Sequence, residues 1–394
     1  MTAKQAAAAL DVTVPTIYAY VSRGLIRSEE TGESKRTRRY YAEDVERLIQ
    51  QKTVARNPAT VTDEALHWGT PLLESALTLI TDEAPYYRGH SALRLAERHT
   101  IEQVAGLLWL DDLKAEVFAF ADHPGTEKCL RLFPQLNRLQ AMQAALPVAG
   151  ADDLTAYDLS TAAVVKTGAS IMRLLGAVAI AAPLDGRDLA SALATHWTPD
   201  QPEAGALISS ALVLCADHEL NASSFTARVI AGAGANPYAV VTGALSAFQG
   251  IKHGGATERA GVFLREVEMV DDVRVVIAER LRRGESIPGF GHPIYAGGFD
   301  PRGEKLLTLI EVASPDNHAA ATVREIATLI DRAPNVDASL ATLGLTLGIA
   351  PAQAALIFAL GRTVGWIAHA IEQYDGRMIR PRARYIGQQP ESSD

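Results

Sequence analysis

Cysteine is scarce in this 394-residue chain: there are two, Cys129 and Cys215, far apart and with no CxxC pair. That excludes a disulfide scaffold and a cysteine-based zinc centre, and it suits a reducing cytoplasm with both thiols buried as small hydrophobes. No signal-peptide pattern opens the sequence. The longest apolar run, Ile171–Leu184, is too short to span a bilayer and contains Arg173. A soluble, cytoplasmic protein with no membrane partner is expected. Nucleotide fingerprints are missing as well. GxGxxG is not completed after Gly232 and Gly234, and no GxxxxGK[ST] occurs, which disfavours nicotinamide enzymes and P-loop NTPases. The segment HELNA lacks the second histidine of HExxH, and no site histidine has a partner three or four residues on, so no metal site is expected.

What is present is helical periodicity rich in Ala and Leu. In "AERHTIEQVAGLLWL" the apolar residues Ile101, Val104, Ala105 and Leu108 recur at helical spacing. Long apolar helices are expected in "DLSTAAVVKTGASIMRLLGAVAIA", "PEAGALISSALVLCADH" and "PAQAALIFALGRTVGWIAHAIEQ". Strand signals are few; Thr70–Ile80 reads as a short hairpin. Strands and helices do not alternate, which argues against a doubly wound sheet and for an all-α fold.

Charge is uneven. The whole chain carries −9, yet residues 1–57 hold ten Lys/Arg against seven Asp/Glu, a local +3 that leaves −12 on the remainder. Residues 2–10 and 14–25 read as two helices joined by the turn "DVT", with Thr13 as N-cap, Pro15 in the first turn and Gly24 as stop. "SEETGESKRTRRYY" reads as a hairpin with Gly32 at its tip, "AEDVERLIQQ" as a closing helix and residues 53–61 as a linker.

Three polar islands interrupt the apolar body, each with one histidine: His218, His253 and His292. Around His292 the stretch Ser286–Leu306 packs in five glycines and three prolines. Such a loop is costly in chain entropy; it reads either as a surface turn or as a substrate loop whose glycines let backbone approach a ligand and whose prolines hold it stiff. Asn335 reads as a helix cap, with Asp337 just inside that helix. Arg362 sits within an apolar run, where a guanidinium needs a partner or a carboxylate to clamp. With Arg302, Arg380 and Arg382 nearby in the sequence pattern, these groups describe a pocket for a small polyanion and general acid–base chemistry.

From about residue 65 to 387 the sequence resembles the citrate synthase family. The carrying segments are "YYRGHSALRLAERHTIEQVAGLLW", "ADHELNASSFTAR", "KHGGATE", "GFGHPIYAGGFDPR", "NVDASLA", "FALGRTVGWIAHAIEQ" and "IRPRARYIG". The resemblance implies a large helical domain (58–253 and 344–394) and a small one (254–343), with the active site in the cleft between them. It implies a homodimer or a multiple of one, no bound cofactor, and oxaloacetate and acetyl-CoA as substrates. Carried over by motif, His253, His292 and Asp337 would be catalytic. His218, Arg302, Arg362 and Arg380 would hold oxaloacetate, Arg380 by reaching into a partner's site. Pro288, Gly289, Phe290 and Gly291 would touch CoA, and the glycines beside His253 and His292 would give its arm room to pass.

The pattern is not followed everywhere. Pro293, Ala296, Gly297 and Gly298 stand where cations for CoA phosphates are common, with one residue inserted before Arg302. Lys252 precedes His253, and Thr257 replaces the Asn of GGANE. The choice of acyl group is therefore open, and a 2-methylcitrate synthase using propionyl-CoA shares the same catalytic set. Residues 2–51 resemble the winged helix-turn-helix of MerR-type regulators. That resemblance implies DNA contacts through Thr13, Thr16, Tyr18, Tyr20 and Arg23 on the second helix, and Lys35, Arg36, Arg38 and Arg39 in the wing, opposed by Glu29, Glu30 and Glu33. It leaves a second possibility, a DNA-binding regulator whose synthase-like body senses a metabolite.

Overall fold

Thr13 has extended backbone and Pro15 follows in the first turn of the helix Val14–Ser22, where a missing N–H breaks no helical bond. Thr13 does not cap through its side chain; its hydroxyl pairs instead with that of Thr16 at 2.9 Å. The computed structural model describes residues 1–10, 12–23, 25–30, 38–42, 44, 45, 48, 73–118, 121–132, 134–383 and 385–388. It divides into two units, Met1–Glu74 and Ser75–Asp394.

In the first unit, Ala6, Ala7 and Leu10 of the helix Ala3–Leu10 cluster with Ile17, Ile26, Tyr40, Val45 and Leu48. Strands Ser28–Glu30 and Arg38–Tyr40 pair antiparallel, with Ser28 opposite Tyr40. The wing is tied down by buried Asp44, which accepts from the Arg27 backbone N–H at 2.8 Å and its Nε at 2.9 Å. Ala42, Asp44, Val45 and Leu48 are helical, as the closing helix requires. Gly24, Gly32, Glu33, Lys35, Arg36 and the linker at 53–61 lie outside the described residues.

Among its described residues the second unit is mainly helical, with a small antiparallel ribbon. Thr78–Ile80 pairs with Pro85–Tyr87, which pairs with His90–Ser91. The hairpin expected within Thr70–Ile80 is thus displaced toward the C-terminus. The turn falls at Thr81–Ala84, where the Thr81 hydroxyl accepts the Ala84 N–H at 3.2 Å. The displacement lets Tyr87 bury fully and donate its hydroxyl to the Val213 carbonyl at 3.1 Å. The segment "AERHTIEQVAGLLWL" runs across two helices, Ala92–Arg98 and Ile101–Leu110. Thr100 breaks it by forming a capping box with Gln103. Ile101, Val104, Ala105 and Leu108 are all buried, as their spacing requires.

The body is organised on the helix Pro351–Tyr374, buried at every residue from Ala354 to Ala370. It lies close against Ala204–Cys215. A Cβ on Gly361 would come within 2.4 Å of the Leu212 carbonyl, and one on Gly365 within 2.4 Å of the Ala216 carbonyl. The Gly365 N–H donates to that Ala216 carbonyl at 3.0 Å, which fixes the end of the preceding helix and the chain leading to His218. The helices Thr161–Ile180 and Pro351–Tyr374 are long and apolar enough to cross a membrane by length and composition, unlike the short run read from the sequence. Their apolar windows are 83% and 94% buried inside the body. Cys129 and Cys215 are free thiols, both buried.

Candidate active site

The Gly/Pro-rich stretch is stitched to the segment before Asp337. Asn335 donates its backbone N–H to the Gly289 carbonyl at 2.9 Å and its Nδ2 to the Gly291 carbonyl at 3.0 Å. The Gly291 N–H in turn donates to the Ala333 carbonyl at 2.8 Å. Gly289 has φ +90°, and a Cβ there would meet that of Ala338 at 2.9 Å. The loop therefore breaks from helix in order to lie against another backbone. Asn335 also caps the helix Val336–Thr346, its Oδ1 accepting from Asp337 N–H at 3.0 Å and Ala338 N–H at 3.2 Å. One amide side chain thus sets both Asp337 and the loop that leads to His292.

Asp300 makes the next tie. It caps the helix Pro301–Ala313 and receives Arg302 through Nε at 3.0 Å and Nη2 at 2.9 Å. Its Oδ2 also accepts the Val336 N–H at 3.0 Å. Asp300 and Arg302 are both buried. Such a pair is stable only because every carboxylate oxygen is used. The Asp-Pro-Arg order carried this signal, an N-cap before proline at the first helical position.

Three rings meet beside Arg302. His218 and His292 stand edge to face with centroids 5.2 Å apart, and Tyr295 lies 5.6 and 5.1 Å from them. The Tyr295 hydroxyl is 2.8 Å from His218 Nε2. Burial, then the Arg302 charge, holds His218 well below the usual imidazole range and brings His292 down to about 4. Behind His218, buried Asp217 accepts from the Thr78 hydroxyl at 2.6 Å and sits 3.2 Å from His369 Nε2.

His253 occupies an aromatic niche, with Phe248 at 5.2 Å and Phe358 at 6.1 Å between centroids. Its Nε2 lies 2.8 Å from the Ser223 hydroxyl, which also receives the Trp366 indole N–H at 3.0 Å. Burial, then the Arg362 guanidinium, lowers His253 to about 4, so the ring is neutral near pH 7. When Ser223 donates to Nε2, the ring's single proton is left on Nδ1, free to donate to a substrate oxygen. The Ser223 hydroxyl also lies 2.7 Å from Asn221 Oδ1, the competing acceptor for its proton. Gly254 is needed here for packing: a Cβ would come within 2.3 Å of the Phe248 ring, so that glycine makes room for phenylalanine, not for the passing CoA arm expected from the sequence.

Arg362 is buried above Phe358, 5.2 Å from the ring centre, and donates Nε to the Cys215 carbonyl at 2.8 Å. Its Nη2 has no hydrogen-bond partner among the described residues. A buried guanidinium nitrogen left open is costly, and a substrate carboxylate would satisfy it. Asp337 is half-buried, and loss of water pushes its carboxyl up to about 6 despite the Thr257 hydroxyl and Arg302, which pull it down. Thr257 donates to Asp337 Oδ1.

The other expected residues are placed differently. Arg380 is exposed beyond the helix Pro351–Tyr374 and joins none of these hydrogen bonds or ring contacts. Gly289 and Phe290 are buried, Pro288 and Gly291 half-buried, and Phe290 bridges to Pro334. Ser223, Trp366, Tyr295, Thr257 and Asp300 were not singled out by their chemistry from the sequence. Among the described residues no group of three or more His, Cys, Asp or Glu side chains is placed to hold a metal ion.

Against this geometry, residues 65–382 match the family model for the citrate synthase C-terminal domain. The chain belongs to the citrate synthase family. Its relatives include Citrate synthase 2 of Bacillus subtilis, 30% identical over 81% of this chain and 94% of that protein. A Putative citrate synthase 2 of Mycobacterium tuberculosis is 38% identical over 51% of this chain and 56% of that protein. Among solved structures, citrate synthase from Thermotoga maritima superposes with a TM-score of 0.70 at 25% identity, covering 82% of this chain and 96% of that one. The citrate synthase of Pyrobaculum aerophilum gives 0.69 at 25% identity, with 82% and 93% covered. Membership makes the chain an acyltransferase-type enzyme for which acetyl-CoA is a cosubstrate and no metal or prosthetic group is required. Residues 1–53 match a separate helix-turn-helix domain model.

Proposed function

We propose that this citrate synthase family enzyme condenses acetyl-CoA with oxaloacetate and hydrolyses the product to citrate and CoA. The observation that carries this reading is the buried Arg362 with one nitrogen open, in a chain that also bonds Asp337 to Thr257 and gathers His218, His292 and Tyr295 beside Arg302. A methyl group next to a thioester is a very weak acid. One carboxylate removes its proton only if a donor meets the charge growing on the thioester oxygen.

In this reading Asp337 takes the methyl proton while His253 Nδ1–H supports the enolate oxygen. The enolate carbon bonds to the oxaloacetate carbonyl carbon, and His292 supplies a proton to the carbonyl oxygen. Water then cleaves the thioester, releasing CoA thiol and citrate. His218, Arg302 and Arg362 hold the carboxylates, and Arg380 completes the set from the partner subunit of a homodimer. Pro288, Gly289, Phe290 and Gly291 line the path of CoA. His218, His253 and Arg362 fall in the large domain (58–253 and 344–394), and His292, Arg302 and Asp337 in the small one (254–343). Closure of the two would exclude water and strengthen the base.

The test is CoA thiol release with oxaloacetate and either acetyl-CoA or propionyl-CoA. Faster turnover with acetyl-CoA supports the reading, preference for propionyl-CoA makes the enzyme a 2-methylcitrate synthase, and no release with either refutes it. The free thiols Cys129 and Cys215 suit work in the cytoplasm.

We further propose that the N-terminal residues 1–57 bind DNA. Thr13, Tyr18 and Arg23 are exposed on or beside the helix Val14–Ser22, and Arg38 and Arg39 are exposed on the wing. A salt-dependent shift of DNA fragments, lost when residues 1–57 are removed, supports this; no shift at low salt refutes it.

A further inference from the structure

The departure of Thr257 from the family's pattern has a physical consequence at the base. Thr257 is fully buried in the first turn of the helix Gly255–Glu268, which begins two residues after His253. Its hydroxyl donates to Asp337 Oδ1. The other carboxylate contacts are not direct bonds of this kind: the Asp337 backbone is held by Asn335, and no further side-chain donor to its carboxylate is seen among the described residues. A buried hydroxyl that is bonded to a half-buried carboxylate fixes the carboxylate's rotation and favours its charged form.

We propose that Thr257 is a positioning residue for the general base, holding the Asp337 carboxylate ionised and aimed from the same helix start that carries His253. The proposal rests on the condensation reading for what Asp337 does, but the bond itself does not. The charged and titratable groups around Asp337 come from several elements. Arg259 lies on the helix of Thr257. Arg302 and Asp300 belong to the cap and first turn of Pro301–Ala313, and Cys215 ends the helix Ala204–Cys215. Asp300 opposes ionisation, and Arg259 and Arg302 support it. Among the described residues Thr257 is the hydroxyl bonded to that carboxylate, and its removal leaves the charged groups in place.

The experiment compares Thr257→Val and Thr257→Ser with the unaltered enzyme in two measurements. The first is the pH profile of kcat/KM for CoA release. Thr257→Val moves the acid limb upward by about one pH unit, a tenfold change in the carboxyl's proton affinity. At pH 6 the rate then falls about fivefold and at pH 9 it recovers to within about twofold, while KM for oxaloacetate changes by less than about twofold. Thr257→Ser keeps the hydroxyl and restores the limb. The second measurement is the 13C NMR titration of the Asp337 carboxyl without substrates, assigned with Asp337→Asn, and it shows the same upward move. Coincident titrations for the valine variant and the unaltered enzyme overturn the proposal. If Thr257→Val does not fold, Thr257→Ala removes the hydroxyl with less crowding and is read in the same way. An enzyme that releases no CoA but whose Asp337 midpoint moves refutes the condensation reading alone. An active enzyme whose midpoint does not move refutes the positioning role alone.

Discussion

The Ser223 hydroxyl lies 2.8 Å from Nε2 of His253. Burial keeps the imidazole uncharged near pH 7, so this contact sets the tautomer: a Ser223 proton given to Nε2 leaves the ring proton on Nδ1, and one given to Asn221 Oδ1 leaves it on Nε2. Ser223 also accepts the Trp366 indole N–H from the central helix, so the His253 ring is aligned by the core of the body. Ser223→Ala removes both functions. We expect kcat to fall about 10- to 100-fold with little change in KM for oxaloacetate, as for loss of an outer partner that orients a histidine. Stability drops by about 1–3 kcal/mol because the Trp366 N–H loses its buried acceptor. Steady-state kinetics and urea unfolding check the two halves separately.

The pH dependence of turnover follows from the direction of each shift. In the proposed mechanism Asp337 acts as a carboxylate; its carboxyl is raised to about 6, and His253 and His292 are neutral above about 4. The acid limb of kcat/KM therefore falls near pH 6, with a slope of one proton, and the histidines add no second limb between pH 5 and 7. Two overlapping limbs in that window contradict the assignment.

The same raised carboxyl costs stability. A folded-state value near 6, against an ordinary value of 3.8, means that the folded protein binds the extra proton between those limits. The penalty is absent below pH 3.8, grows as pH rises to 6, and is complete above it. Asp337→Asn removes it. After allowance for the partial solvent exposure of Asp337, the variant is more stable at pH 7.5 by about 1–2 kcal/mol. Denaturant unfolding at pH 7.5 and pH 5 checks both the gain and its decrease on acidification.

Arg362 is charged and buried, and its Nη2 has no hydrogen-bond partner among the described residues. Arg362→Met removes a buried charge while keeping much of the side-chain volume. Stability then changes by less than about 1 kcal/mol. Oxaloacetate affinity falls by at least about 100-fold, the cost of losing a charge-assisted carboxylate bond in a desolvated site. Calorimetric titration with oxaloacetate alongside thermal melting tests the contrast.

Much of the site was legible because its chemistry is carried by residues that stand out locally. His218, His253 and His292 each interrupt an apolar background, and Asn335 before Asp337 has the form of a helix start. The supporting side chains were not legible. Ser223 and Thr257 are ordinary near helix starts, and only the packing of helices distant in sequence brings Ser223 to His253, or Thr257 to Asp337 across 80 residues. Gly254 shows the converse. Its sequence setting suggested room for a ligand, but the space is taken by Phe248. In the fold, apolar periodicity found Ile101–Leu110 but missed its break from Ala92–Arg98. A polar cap at Thr100 overrode the periodicity. The ribbon was misplaced because Tyr87 gains a buried bond to Val213 that no local pattern reveals.

The most direct test of the mechanism is CoA release from acetyl-CoA and oxaloacetate by Asp337→Asn at saturating substrate, with oxaloacetate affinity measured in parallel. Loss of the proposed base should lower kcat by at least about 1,000-fold, within the range for removing a general base, while oxaloacetate still binds. Turnover by the variant within tenfold of the unaltered enzyme would contradict proton abstraction by Asp337.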